Sequence, residues 1–224
     1  MPAARPIPRG FDVAAAQAHL AKRDRRLATW MRRIGPIERD FAQPFQPVDA
    51  LAHAILYQQL SGKAAATIVG RVLALMPRRR IDADGIAAQS DEALRGAGVS
   101  RNKIAALRDL AAKAQQGVVP DARGLARMSD ADAIGQLTQV RGIGRWTVEM
   151  LLMSRLGRPD ILPVDDLGIR KGAQVVHGWD APPKPQALAE FGERWGPYRT
   201  LASFYLWRVV EAAQQAAPTR CSQD

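Results

Sequence analysis

The sequence predicts an all-α fold, on three observations. Apolar residues recur at helical spacing along most of the chain. No segment sustains the two-residue alternation or the β-branched clustering of a strand. Serines stand immediately ahead of several helical stretches, where an N-cap belongs. Roughly ten short helices are expected, joined by short connections and packed orthogonally, without a fixed-period internal repeat.

The elements follow in order. Residues 1–10, with three prolines and two arginines, read as a loose arm. Over residues 12–34, Val13, Ala16, Leu20, Leu27, Trp30, Met31 and Ile34 mark one helix, ended by Gly35-Pro36. "FAQPFQPVD" is a proline-broken connector. A helix over about 48–59 places Leu51, Ile55 and Leu56 on one side, and "SGKAAATIVGRVLALM" continues as a second helix up to Pro77. "PRRRIDADG" reads as a basic, solvated loop. Ser90 and Ser100 cap "DEALRGAG" and "RNKIAALRDLAAKAQQG", and Gly117 suits the position after the latter helix. Ser129 with Asp132 forms a variant capping box before "DADAIGQLTQ". A Gly-Ile-Gly turn and a helix over about 145–156 come next, and "GRPDILPVDD" is a loop. A short helix starts near Leu167, and two more are expected over about 186–195 and 198–216.

Composition narrows the function. A chain of 224 residues, 47% apolar, makes one domain or two small ones with a real core. Lys and Arg number 32 against 22 Asp and Glu, a net charge of +10, and the pI is about 10.6. That excess points to a polyanion, either nucleic acid or an anionic membrane surface, unless it reflects only an arginine-rich composition. The single cysteine, Cys221, excludes an internal disulfide and a four-cysteine iron–sulfur or zinc site. There is no signal-peptide core and no run near the ~18 apolar residues of a membrane span. A soluble, cytoplasmic protein without a membrane partner is expected.

"LTQVRGIGRWTVEMLLMSRLG", residues 137–157, sets two glycines between helices. Glycine admits positive φ and close backbone approach, and the amides opening the next helix suit a DNA phosphate. Val140 and Ile143 would anchor the turn in the core. An ordinary helical hairpin is the competing reading of this stretch by itself. The segment resembles the helix–hairpin–helix of the DNA glycosylase superfamily. "LPVDDLGIRKG" resembles that superfamily's Pro-rich loop and aspartate, and "AILYQQLSGKAA" resembles its strand-wedging turn. The resemblance spans about residues 48–207, with three motifs in the right order.

The resemblance implies two helical lobes with a DNA cleft between them. Residues 1–47 would pack with the C-terminal lobe, 48–155 would form the central lobe, and 156–224 the catalytic loop and C-terminal lobe. Larger relatives begin with an extra α/β domain, so a compact member is expected. In bifunctional members a lysine follows "GIGR". This chain has Trp146 there, and Lys171 is not at that position. A monofunctional hydrolase of the alkylation-repair branch, the 3-methyladenine DNA glycosylases, is therefore expected, with no iron–sulfur cluster and no required cofactor.

By motif position Asp166, four residues before Arg170, is the catalytic aspartate, and Asp165 is a cap or loop residue. A carboxylate there would stabilise an oxocarbenium-like sugar and orient or deprotonate water. Trp146, Met150 and Tyr198 would wall the pocket, an indole face attracting a cationic alkylated purine. Gln59, with Leu60, would fill the gap left by the flipped base. Gly142, Gly144, Arg145, Lys63 and Ser61 would meet the DNA backbone, and Arg141 is a further phosphate partner. The carbonyls of Thr138, Val140 and Ile143 would hold a structural Na+ or K+. The expected partner is double-stranded DNA containing alkylated bases, and the expected state a monomer. Two alternatives stand beside this reading: a glycosylase for neutral damaged or mismatched bases, and a non-catalytic helix–hairpin–helix binding module.

Overall fold

The computed structural model of the protein describes residues 10–39 and 44–216. Cys221 lies outside the described residues. In chain order the helices are α1 (Val13–Arg23), α2 (Arg25–Ile34), α3 (Pro47–Tyr57), α4 (Gly62–Leu75), α5 (Ala83–Ala88), α6 (Asp91–Gly96), α7 (Arg101–Gln115), α8 (Ala122–Arg127), α9 (Asp130–Leu137), α10 (Arg145–Leu151), α11 (Leu167–His177), α12 (Pro185–Gly192) and α13 (Arg199–Ala216). A π-type turn, Leu152–Leu156, follows α10, and a 3-10 turn, Glu193–Trp195, follows α12. No strand occurs among the described residues. They divide into two compact units: residues 44–155, and residues 10–39 with 156–216.

In the first unit α7 packs against α3, α5 and α6, and α3 against α4 and α10. Leu51, Ile55, Leu56, Val72, Leu107 and Leu110 form the fully buried core, with Val140 and Ile143 driven into it from the turn. The expected serine caps are in place: Ser90 accepts the Ala93 amide, Ser100 the Lys103 amide and Ser129 the Asp132 amide. Each such cap is worth about 1 kcal/mol. Two short helices go beyond the sequence reading. "PRRRIDADG" is not all loop: Asp82 accepts the Gly85 amide and starts α5, and Ile81 is fully buried. Asp121 starts α8 in the same way. Arg108 closes the far end of α5 by donating to the carbonyls of Ile86 and Gln89 and to Asp91.

In the second unit α13 packs on α11, α2 and α1. The helix expected over 12–34 is two helices, broken at Asp24. This residue caps the end of α1 and the start of α2 with extended backbone, φ −143° and ψ 96°. Its buried carboxylate accepts the Leu27 amide (3.0 Å) and the Trp195 indole N–H (2.9 Å), and His177 Nε2 stands 3.4 Å away. Those partners account for the break, because a buried carboxylate is retained only where donors meet it. Helix α10 is also shorter than expected. Its continuation takes the wider π turn, with Leu152, Met153 and Leu156 buried.

Close approach of α11 and α13 depends on Gly172. A Cβ there would lie 2.2 Å from the Leu206 carbonyl oxygen. Backbone cannot swing aside as a flexible side chain can. Gly172→Ala should therefore lower stability by about 2 kcal/mol or more. Gly70, inside α4 with nothing near its added Cβ, should gain about 0.5–1 kcal/mol from the same change. Thermal or urea unfolding of the two variants checks the opposite signs.

Candidate functional site

The first unit builds a cavity of about 590 Å³ from α3, α10 and the turn after α3. Trp146 and Met150, one helical turn apart on α10, both line it, facing Ala50, Ala54 and Tyr57 of α3. Trp146 is 51% exposed and Tyr57 42%, so two large aromatic residues stay open to solvent beside one apolar cavity. Tyr57 stands inside the quoted wedge motif, yet its place in the cavity was missed. A single tyrosine at the end of a mostly aliphatic helix was the available signal. Arg155 lines the same cavity.

The turn after α3 carries the residues read as a wedge. Gln59 lines the cavity and has φ +56°, a left-handed conformation that costs a non-glycine residue about 1 kcal/mol. Leu60 beside it is 39% exposed. Ser61 then caps α4 by accepting the Ala64 amide, and Lys63 is exposed in its first turn.

The Gly-Ile-Gly turn is bound to this wedge turn through side chains. Gln58 Nε2 donates to the Gly142 carbonyl (2.8 Å). Lys103 Nζ, from α7, donates to the carbonyls of Leu56 (2.7 Å) and Gln58 (2.9 Å), which close α3. Burial holds the Lys103 ammonium below the usual lysine range. Asp109, also on α7, accepts the Arg141 amide (2.7 Å) and pairs with Lys113 (2.7 Å). Sequence reading missed all three of these clamping side chains. Within the turn, Gly142 has φ +79° and the Ile143 amide bonds the Val140 carbonyl (3.0 Å). Thr138 closes α9, its hydroxyl donating to the Ile134 carbonyl (2.7 Å). Gly144 opens α10, and Arg145 pairs with the buried Glu149 (2.8 Å).

Asp166 and Tyr198 lie in the second unit. Asp165, expected as a cap or loop residue, is an exposed turn residue, and Asp166 is the N-cap of α11. Asp166 Oδ1 accepts the Ile169 amide (2.8 Å) and the Trp207 indole N–H (3.0 Å). Gly168 leaves room for this pair, since an added Cβ would meet Asp166 Oδ1 and the Trp207 ring at 3.0 Å. Trp207 was missed as well: it is one aromatic in the aromatic run "SFYLWR", with nothing in its spacing to set it apart. Tyr198 follows a cis Gly196-Pro197 bond, with its ring edge-on to His19 at 5.3 Å. Among the described residues no group of His, Cys, Asp and Glu could hold a metal ion, and no helix is long and apolar enough to cross a membrane.

A two-glycine turn between helices, and an aspartate capping the helix after a Pro-rich loop, match one class of DNA repair protein. The chain belongs to the HhH-GPD superfamily of base excision DNA repair proteins, whose family model matches residues 52–197. It is 32% identical to DNA-3-methyladenine glycosylase 1 of Schizosaccharomyces pombe, over 93% of this chain and 92% of that protein. A solved structure of a 3-methyladenine DNA glycosylase from the same yeast, in complex with abasic DNA, aligns with a TM-score of 0.77 at 33% identity, covering 87% of this chain and 95% of that one. A DNA-3-methyladenine glycosidase from Bacillus halodurans aligns with a TM-score of 0.82 at 33% identity, covering 92% and 94%.

The Asp109 clamp has a pH signature. Burial pushes its pKa up, but the Arg141 amide and the Lys113 ammonium outweigh that and hold it below the ordinary carboxylate value. A depressed folded-state pKa stabilises fully above the unfolded value of about 3.9, and the contribution is lost as pH falls through the folded one. At neutral pH Asp109→Asn should be the less stable protein. Denaturant titrations across pH should show its deficit closing below about pH 4. A deficit constant down to acid pH would remove the ion from the clamp.

Proposed function

We propose that the protein is a monofunctional DNA glycosylase of base excision repair. It hydrolyses the N-glycosidic bond of alkylated purines, 3-methyladenine and 7-methylguanine, flipped out of duplex DNA. The observation that carries the reading is Trp146, a half-exposed indole on the cavity wall at the residue after "GIGR". Its electron-rich face suits a positively charged base. It has no amine to form a Schiff base, so lyase chemistry is not expected. The named activities of the S. pombe and B. halodurans relatives support the same substrate class.

In the reaction the C1′–N bond breaks and its electron pair leaves with the base. A C1′–O bond forms to water, and the water gives up its proton. Asp166 is assigned to this step. Its carboxylate stabilises the positive sugar and orients or accepts the proton of the water. Trp207 is a positioning residue, since its indole N–H holds Asp166 Oδ1. Tyr198 and Met150 are assigned to base contact, and Gln59 with Leu60 to the vacated stack. The backbone of Gly142 and Gly144 is assigned to DNA phosphates, together with Ser61, Lys63 and Arg145. A monovalent cation fits the hairpin by donor chemistry. The Val140 carbonyl bonds one amide and keeps a second lone pair, and the Thr138 and Ile143 carbonyls would complete the set. The protein is expected to act as a monomer.

A neutral damaged base is the second reading, favoured by Arg155, whose charge on the cavity opposes a cationic base. Release of free bases from methylated and from hypoxanthine-containing duplexes decides between them. Release of 3-methyladenine or 7-methylguanine is expected, and release of hypoxanthine alone would overturn the cationic-base reading.

Asp166→Asn keeps an N-cap and removes only the charge. It should cost about 100-fold or more in single-turnover base release while DNA affinity holds. Trp207→Phe keeps the ring and removes the N–H. It should lower kcat about tenfold with little change in KM. An unchanged kcat would make that contact purely structural. Trp146→Ala should reduce release of charged bases more than binding to an abasic duplex.

A further inference from the structure

A second cavity, of about 340 Å³, lies at the C-terminal end of α11 and is ringed by Arg23, Arg25, Arg26 and Arg194. Asp166 caps the opposite end of that helix, about 16 Å away at the usual rise per residue. His177, Trp179 and Phe191 supply the aromatic wall.

Three of the arginines are held in place by neutral groups. Arg26 donates to the His177 carbonyl. Arg23 Nε donates to the Arg194 carbonyl (3.4 Å). Arg194 Nε donates to the Phe191 carbonyl (3.0 Å), and its guanidinium lies 3.6 Å over the Phe191 ring. These acceptors orient the guanidinium groups without cancelling their charge, and each group keeps further N–H donors. The carboxylate in the wall, Asp24, is 5% exposed and is already bonded to the Leu27 amide and the Trp195 indole. Four guanidinium groups against that one carboxylate leave positive charge dominant in the cavity. The buried His177 registers it: burial lowers its pKa most, Asp24 raises it, and Arg194 and Arg26 lower it further.

Several like charges oriented around one concavity repel each other, and an anion relieves that repulsion. Planar guanidinium forks match phosphoryl oxygens in pairs. The volume falls at the small end of ligand sites, which suits a phosphoryl group with part of the molecule that carries it. We propose that this arginine-ringed cavity is a second binding site, specific for the phosphate group of a nucleotide. It is separate from the chemistry assigned to Asp166 and does not rest on it.

The test follows the indole NMR signal of Trp179 in the full chain. Inorganic phosphate is titrated against chloride at matched ionic strength. Phosphate should move the signal with a Kd of about 1 mM or tighter, and chloride should not. The double variant Arg25→Gln/Arg194→Gln should weaken binding at least about tenfold, a loss of about 1.4 kcal/mol. If that variant fails to fold, the single Arg25→Gln change at the exposed start of α2 carries the same expectation at about threefold. Deoxyadenosine monophosphate and a 5′-phosphorylated DNA strand, with its 5′-hydroxyl twin, distinguish the sources. Tighter binding of the mononucleotide assigns the site to free nucleotide, and tighter binding of the phosphorylated strand assigns it to a DNA end. A signal that moves no more with phosphate than with chloride, or equally in the arginine variant, would overturn the proposal.

Discussion

The tie between Gln58 and the Gly142 carbonyl is the contact on which the first unit's functional surface depends. Gln59 sits in a left-handed conformation next to it, and such a residue persists only where neighbours over-determine the backbone. Lys103 supplies that constraint. Its ammonium bonds the last carbonyls of α3, where the helix dipole also favours a cation. Asp109 fixes the other partner through the Arg141 amide. Two turns distant in sequence thus share one rigid support, α7. A turn exposed to solvent, with Leu60 39% exposed in it, needs such support because the loop has no core of its own.

The second unit solves a related problem with a buried carboxylate. Asp24 ends one helix and begins the next, its two oxygens accept an amide and an indole N–H, and the His177 imidazole stands 3.4 Å away. A carboxylate buried so deeply is tolerable only where donors meet it. It therefore locates α2 against α11 and the 3-10 turn more specifically than apolar packing alone would. The same node sets the backdrop of the arginine-ringed cavity, because it takes Asp24 out of competition for the guanidinium groups.

Local chemistry was legible in the sequence, and long-range pairing was not. Ser90, Ser100, Ser129 and Gly117 act within one turn of themselves, and they stand where spacing placed them. Trp146 and Met150 were legible as one helical face, and the structure puts both on the same cavity. Helices α5 and α8, six residues each, are too short for a period to register. The break at Asp24 was hidden because Leu20 and Leu27 keep helical phase across it. Gln58, Lys103 and Asp109 look like ordinary surface residues, since their partners lie on other elements. Trp207 reaches Asp166 across 41 positions, which no periodicity reveals.

Asp166 shows why capping and catalysis are not competing descriptions of one residue. A helix N-cap is fixed by its bond to an amide two or three residues on, so its carboxylate cannot rotate freely. The Trp207 indole lands on the same Oδ1 as the Ile169 amide, and two donors converging on one oxygen fix the plane of the whole group. In the proposed reaction that rigidity is useful, because electrostatic stabilisation of a cationic sugar works best when no reorganisation is needed as charge develops. Glutamate would add a rotatable bond and lose the cap geometry. Asparagine would keep the cap and lose the charge. Aspartate alone meets both demands, so one residue carries the cap and the proposed chemistry together.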